Sequence, residues 1–142
     1  MRTLEEQIDV DVPLRTAWEQ LHRIDQYPRF VDGVLSASAL GRNRAHLELE
    51  VAGTHHELDA EIVDRGQGKV MGWETLDGPR LKGTFALRPL DADHTQLQIR
   101  LEYDPDTLKS QLGGPKGFAQ VSAIERTVRE DLEHFKQLVE ER

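Results

Sequence analysis

From Val34 to Tyr103 the apolar residues recur at every second position, and from Phe118 to Val139 at every third or fourth. A chain with that change of period builds a sheet and then closes it with one long helix. Ala45, Leu47, Leu49 and Val51 alternate with His46, Glu48 and Glu50, and Leu58, Ala60 and Ile62 alternate with Glu57, Asp59 and Glu61. Further strands are expected over Val34–Leu40, over Val70–Leu76 with Met71 and Trp73 in one phase, over Leu81–Leu87, and over Leu97–Tyr103. Turn signals separate them at Gly53-Thr54, Gly66-Gln67-Gly68, Asp77-Gly78-Pro79 and Asp91–His94. The short connections make the sheet an antiparallel meander.

The N-terminal segment supplies one more strand and two short helices. Leu4, Ile8, Val10 and Val12 share a phase opposite Glu5, Gln7, Asp9 and Asp11. Glu6 breaks that phase, and its place near the strand start is expected to let it reach water. Pro13 opens a helix whose stripe is Leu14, Ala17, Trp18, Leu21 and Ile24. A second helical turn over Tyr27–Val31 ends at Gly33. Residues 105–117 read as a glycine- and proline-rich loop with one helical turn near Leu108. The closing helix carries Phe118, Val121, Ile124, Val128, Leu132, Phe135 and Val139 on one face. Glu125–Arg129, Arg126–Glu130 and Arg129–Glu133 stand at i,i+4 on the other.

At 142 residues the chain fits one domain spanning 1–142. Leu, Ile, Val and Phe make up 37 of them, enough for a core of modest size. No segment approaches the ~20 apolar residues of a membrane span, and Met1–Glu6 has no apolar run of the secretory type, so a cytoplasmic protein is expected. With no cysteine, disulfide and thiolate chemistry are excluded. A net charge of −8 disfavours a nucleic-acid partner, which would need a basic face.

The order strand, two short helices, six strands, long helix resembles that of the START/Bet v 1-like (SRPBCC) superfamily. Within it, the chain is similar to the polyketide cyclase/dehydrase and coenzyme-Q-binding branch. The resemblance is carried by Val12-Pro13-Leu14-Arg15-Thr16-Ala17-Trp18, then Leu21, Asp25, Tyr27-Pro28-Arg29-Phe30 and Gly33-Val34. Leu58–Glu61, Trp73–Gly78, Leu101–Asp104 and Asp131–Lys136 match further on, so the likeness runs over essentially the whole chain. It implies an α+β helix-grip fold, in which a seven-stranded curved antiparallel sheet and two short helices enclose a cavity with the long C-terminal helix. It further implies a hydrophobic small-molecule ligand that is polyketide-, aromatic- or isoprenoid-like.

His56 shares the inward phase of Leu58 and Ala60, which makes it the one strand histidine able to serve as an acid, a base or a hydrogen-bonding group toward such a cavity. The bland alternative is a strand-end histidine in contact with water. Its neighbour His55 points to the other face, so the pair cannot jointly chelate a metal. The remaining histidines show no HxH or HExxH spacing, and neither a metal nor a cofactor is expected. Tyr103 is the second candidate proton-bearing group. Trp73 and Phe85 are expected as aromatic walls, Arg80 as a rim cation, and Phe118, Ser122 and Glu125 as the helix side of the site. Gly113–Gly117 lacks phosphate-loop spacing and reads as a gate at the mouth.

Two functional classes follow. An aromatase/cyclase would confine a poly-β-ketone and promote aldol closure with loss of water, using His56 or Tyr103. A non-catalytic lipid or quinone carrier or sensor needs only the apolar cavity. A protein-interaction module of the ribosome-associated type is a third reading, and the sequence does not indicate an oligomeric state.

Overall fold

The structure, a computed structural model, describes residues 2–51, 54–77, 80–104 and 117–141, with the side chains of 51, 54 and 117–125 outside that description. The expected loop over 105–117, with its helical turn and gate, and the turn residues Gly53, Gly78 and Pro79 therefore lie outside the described residues, except that Gly117 is found to open the closing helix instead.

Strand β1 (Arg2–Val10) leads into helix α1 (Leu14–Leu21) and a 3₁₀ helix (Ile24–Arg29). Six strands follow: β2 (Val34–Ala39), β3 (Arg44–Val51), β4 (Thr54–Arg65), β5 (Val70–Thr75), β6 (Leu81–Asp91) and β7 (His94–Tyr103). Helix α2 (Gly117–Glu140) closes the chain. The seven strands form one antiparallel sheet in the order β1-β7-β6-β5-β4-β3-β2. The meander thus pairs each strand with its successor from β2 to β7, and β1 returns to pair with the last strand.

Every expected strand is present, and β4 is longer than its apolar residues alone suggest. Its ladder runs from Val51↔Thr54 against β3 to Arg65↔Val70 against β5, because backbone pairing does not require apolar side chains at the ends. The β6–β7 turn closes on Asp91, whose carboxylate accepts the Asp93 N–H at 2.8 Å, the usual role of aspartate in a tight turn. Gly33 adopts φ +90°, and a Cβ there would lie 3.2 Å from the Glu50 carbonyl oxygen. Only glycine lets the chain leave the 3₁₀ helix so close to β3.

The main core joins the helices to one half of the inner sheet face. Val10, Val12, Ala17, Leu21, Phe30, Met71, Phe85, Leu87, Leu97, Leu132, Phe135 and Val139 are buried together. Phe135 meets Phe30 edge-on at a ring-centroid distance of 5.2 Å, which fixes α2 against the 3₁₀ region. A smaller cluster of Leu4, Leu101 and Tyr103 is joined by Val128, Leu81 and Trp73.

Helix α2 runs along β1, and polar contacts follow the same line. Lys136 Nζ donates to the Asp9 carbonyl at 2.9 Å, and Glu140 accepts the Asp11 N–H at 2.7 Å. Glu6 departs from expectation here. It lies mid-strand on the inner face, opposite Ile99, and Arg129 Nε donates to its carboxylate at 3.0 Å. The helix, rather than water at a strand end, supplies its counter-charge. Arg129 thus makes a contact between elements, and the side chain of its expected helix partner Glu125 lies outside the described residues.

Trp73 packs against both clusters and lies flat over its cross-strand neighbour Gly83. A Cβ at Gly83 would come within 2.3 Å of the indole. Gly83→Ala is therefore expected to displace Trp73 and cost about 1–3 kcal/mol, as overpacking does. Gly72→Ala, whose nearest neighbours lie at 3.4 and 3.5 Å, is expected to be nearly neutral. Urea denaturation of the two variants checks this; equal stabilities would contradict the packing described.

Candidate functional site

The inner face of the sheet has two unlike halves. Over β1, β7 and β6, helix α2 and the core cover it. Over β3 and β4 it presents Ala45, Leu47, Leu49, His56, Leu58 and Ala60, paired across the strands as Leu47↔Leu58, Leu49↔His56 and Ala45↔Ala60. None of these six belongs to either hydrophobic cluster, and Leu47 and Leu49 are only half-buried. Ala45, Leu58 and Ala60 are buried all the same, so the face is apolar and largely shielded from water.

His56 is the exception on that surface. Its Nε2 is buried and has no hydrogen-bond partner among the described residues. A buried polar atom left so costs about 1–3 kcal/mol. The inward phase read from the sequence is thus observed, in register with Leu49 on one side and two residues from Leu58 on the same strand.

The structure does not bring the other proposed proton-bearing group to it. Tyr103 is fully buried beside Leu4 and Leu101 at the far end of the face. β5 and β6 stand between β4 and β7, and along the strands Tyr103 is level with Ala60, four residues from His56. Phe85 is buried in the main core between Met71 and Ile99, where it supports the sheet. Trp73 is half-buried and stands on the strand next to β4, opposite Ile62. Arg80 is exposed just ahead of β6. The side chains of Phe118, Ser122 and Glu125 lie outside the described residues.

Two polar grooves open elsewhere on the described surface. One, of about 210 Å³, lies on the outer face of β4–β7 among Glu61, Arg65, Glu74, Lys82, Arg100 and Glu102. The other, of about 390 Å³, runs between α1, the 3₁₀ helix and the end of α2, past Thr16, Arg23, Gln26 and Arg29. Their mixed charge is ordinary solvated surface, and neither adjoins His56.

A cluster that sequence reasoning missed lies on the outer face of β3 and β4. His46 Nδ1 is 2.6 Å from an Asp59 carboxylate oxygen, and His46 Nε2 is 3.8 Å from Glu57. The hydrogen bond to Asp59 raises the imidazole pKa above its ordinary value, assisted by the charges of Asp59, Glu57 and Glu48. The residues are 13 apart in sequence, and only the strand register unites them. Among the described residues no helix is long and apolar enough to cross a membrane.

The architecture and sequence both have known counterparts. The family profile described as "Polyketide cyclase / dehydrase and lipid transport" matches residues 10–134. An uncharacterised 17.2 kDa protein from the melC2–rnhH intergenic region of Streptomyces lincolnensis is 32% identical over 143 residues, covering 100% of this chain and 92% of that protein. Among solved structures, the Zhui aromatase/cyclase from Streptomyces sp. R1128 superposes with a TM-score of 0.80 at 21% identity, over 98% of this chain and 93% of that one. A START superfamily protein from Mycobacterium smegmatis gives a TM-score of 0.70 at 17% identity, over 97% and 94%. The di-domain aromatase/cyclase BexL gives 0.74 at 18% identity, over 99% of this chain and 47% of that one. Sheet, helices and sequence together make this chain a member of the polyketide cyclase/dehydrase and lipid-transport family, with the START-like helix-grip fold.

Proposed function

We propose that the chain binds a hydrophobic small molecule, polyketide-, aromatic- or isoprenoid-like, against the inner face of β3–β5, and that His56 provides the polar contact that orients it. The carrying observation is the buried His56 Nε2, without a hydrogen-bond partner among the described residues, beside the apolar side chains of Leu47, Leu49 and Leu58. A ligand carbonyl or hydroxyl supplies the missing hydrogen bond, while Leu47, Leu49, Leu58 and Trp73 supply apolar contact. The names of the aromatase/cyclase neighbours support a substrate of the polyketide class.

The chemistry open to such a site is aldol closure. A methylene between two carbonyls of a poly-β-ketone is acidic, and the neutral imidazole of His56 removes one of its protons. The resulting enolate carbon attacks a second carbonyl of the folded chain, forming the ring C–C bond. The alkoxide takes the proton back from the imidazolium. Loss of a second α-proton and of the hydroxyl as water then gives the unsaturated ring. The reaction needs no oxidant, and confinement of the chain supplies the orientation that the bimolecular reaction lacks.

One observation favours a carrier or sensor as the second reading. The described inward residues of β3–β5 carry two ionisable side chains, His56 and Asp64, and Asp64 is engaged by His22 at 2.8 Å, which leaves His56 as the one orienting group that a carrier requires. The two readings separate on His56→Gln. Native mass spectrometry of protein from its own host, followed by organic extraction, reports occupancy, and turnover of a poly-β-ketone reports catalysis. A cyclase variant is expected to keep ligand occupancy and lose turnover by about 10²–10⁴-fold, the range for removal of a general acid–base group. A carrier shows occupancy without turnover in either form. Wild-type protein that retains nothing and binds no polyketide- or isoprenoid-like probe saturably would overturn both.

Stability offers an independent check. His56→Leu removes the orphaned nitrogen and is expected to raise unfolding stability by about 1 kcal/mol, since the desolvation cost disappears. A stability loss in urea denaturation would mean that the imidazole has a structural partner instead.

A further inference from the structure

We infer that the outer face of β3 and β4 carries a divalent transition-metal site, best suited to Zn²⁺, built from His46, Glu48 and Glu57. One ligand atom from each of the three lies within 4.8 Å of the other two. A tetrahedral zinc with bonds of about 2.0–2.1 Å holds its donors roughly 3.4 Å apart, so side-chain rotation of about an ångström completes the set. The His46 Nε2–Glu57 pair, at 3.8 Å, is already close to that spacing.

Three features of the backbone and side chains point the same way. His46 and Glu48 are two apart on β3, so they project from one face, and Glu57 stands directly opposite Glu48 on β4. Two carboxylates facing each other across an antiparallel pair repel unless a cation lies between them. The imidazole is also already oriented. Asp59 holds Nδ1 at 2.6 Å, leaving Nε2 toward the glutamates, and a carboxylate behind the far nitrogen is the customary support of a metal-bound histidine.

A further histidine borders the set. His55 projects from β4 on the same face as Glu57, and its Nε2 is 3.8 Å from the Glu48 carboxylate. It is placed to become the fourth ligand, giving two imidazoles and two carboxylates on adjacent strands. The donor chemistry selects a borderline ion, because imidazole ligands disfavour Mg²⁺ and Ca²⁺. The site lies on the opposite face of the sheet from His56, so it stands or falls independently of the ligand reading.

The test is calorimetric titration of untagged, chelator-treated protein with Zn²⁺ at pH 8, with the visible absorption of bound Co²⁺ as a second readout. One equivalent is expected to bind wild type. His46→Ala is expected to weaken binding at least tenfold, and Asp59→Asn by about 10–100-fold, the usual effect of removing such a supporting carboxylate. His94→Ala serves as the control, since His94 sits between Asp91 and Asp11 in similar surroundings outside the cluster; its affinity should equal wild type. Circular dichroism establishes that each variant is folded. Absence of binding to wild type at millimolar Zn²⁺, or equal affinity of wild type and His46→Ala, would overturn the assignment.

Discussion

A single helix is too narrow to cover seven strands, and the rest of the molecule is arranged around that mismatch. Six spacings between strands make the sheet about 29 Å wide, whereas a helix with its side chains is about 10–12 Å across. Helix α2 lies along β1, anchored by Phe135 on Phe30, by Arg129 on Glu6 and by Lys136 on the Asp9 carbonyl. Curvature and α1 complete the main core, and Trp73 over Gly83 links that core to the smaller cluster. The apolar face of β3 and β4 lies outside both described core clusters, with Ala45, Leu58 and Ala60 buried and Leu47 and Leu49 half-buried.

The adjacent histidines of β4 show how one strand serves two environments. His56 faces the apolar side and carries a buried nitrogen without a partner among the described residues. His55 faces the solvated side and approaches Glu48. A slip of one residue in register would exchange them, placing an exposed histidine in the hollow and the candidate hydrogen-bonding group outside. The hairpin between β3 and β4 is therefore as important to the proposed chemistry as any side chain in it.

The period-two and period-3.6 patterns were sufficient to place all seven strands and both α-helices, since each apolar phase must meet a common core. Residues that break a pattern were harder to interpret. Glu6 was legible as an intruder in the apolar phase, but its partner Arg129 is 123 positions away and no local spacing announces it. Tyr103 and Phe85 were legible as inward aromatics, yet inward phase does not distinguish a wall from a fully buried core, which depends on where the helix lies. The His46–Glu48–Glu57 set was invisible for a related reason. It is created by cross-strand register, whereas motif spacings describe ligands gathered along one segment. His56 was legible because phase alone decides which face it takes.

The central claim is that the inner face of β3–β5 accepts an aromatic or isoprenoid-like molecule beside Trp73. Trp18→Phe leaves Trp73 as the sole tryptophan, and its emission reports contact on that face directly. Titration of this variant with a hydroxylated anthraquinone is expected to quench the emission saturably, with one equivalent bound, and Gly83→Ala, which moves the indole, is expected to change the quenching. Emission that remains unchanged up to the solubility of the probe, or that falls linearly without saturation, would contradict the account.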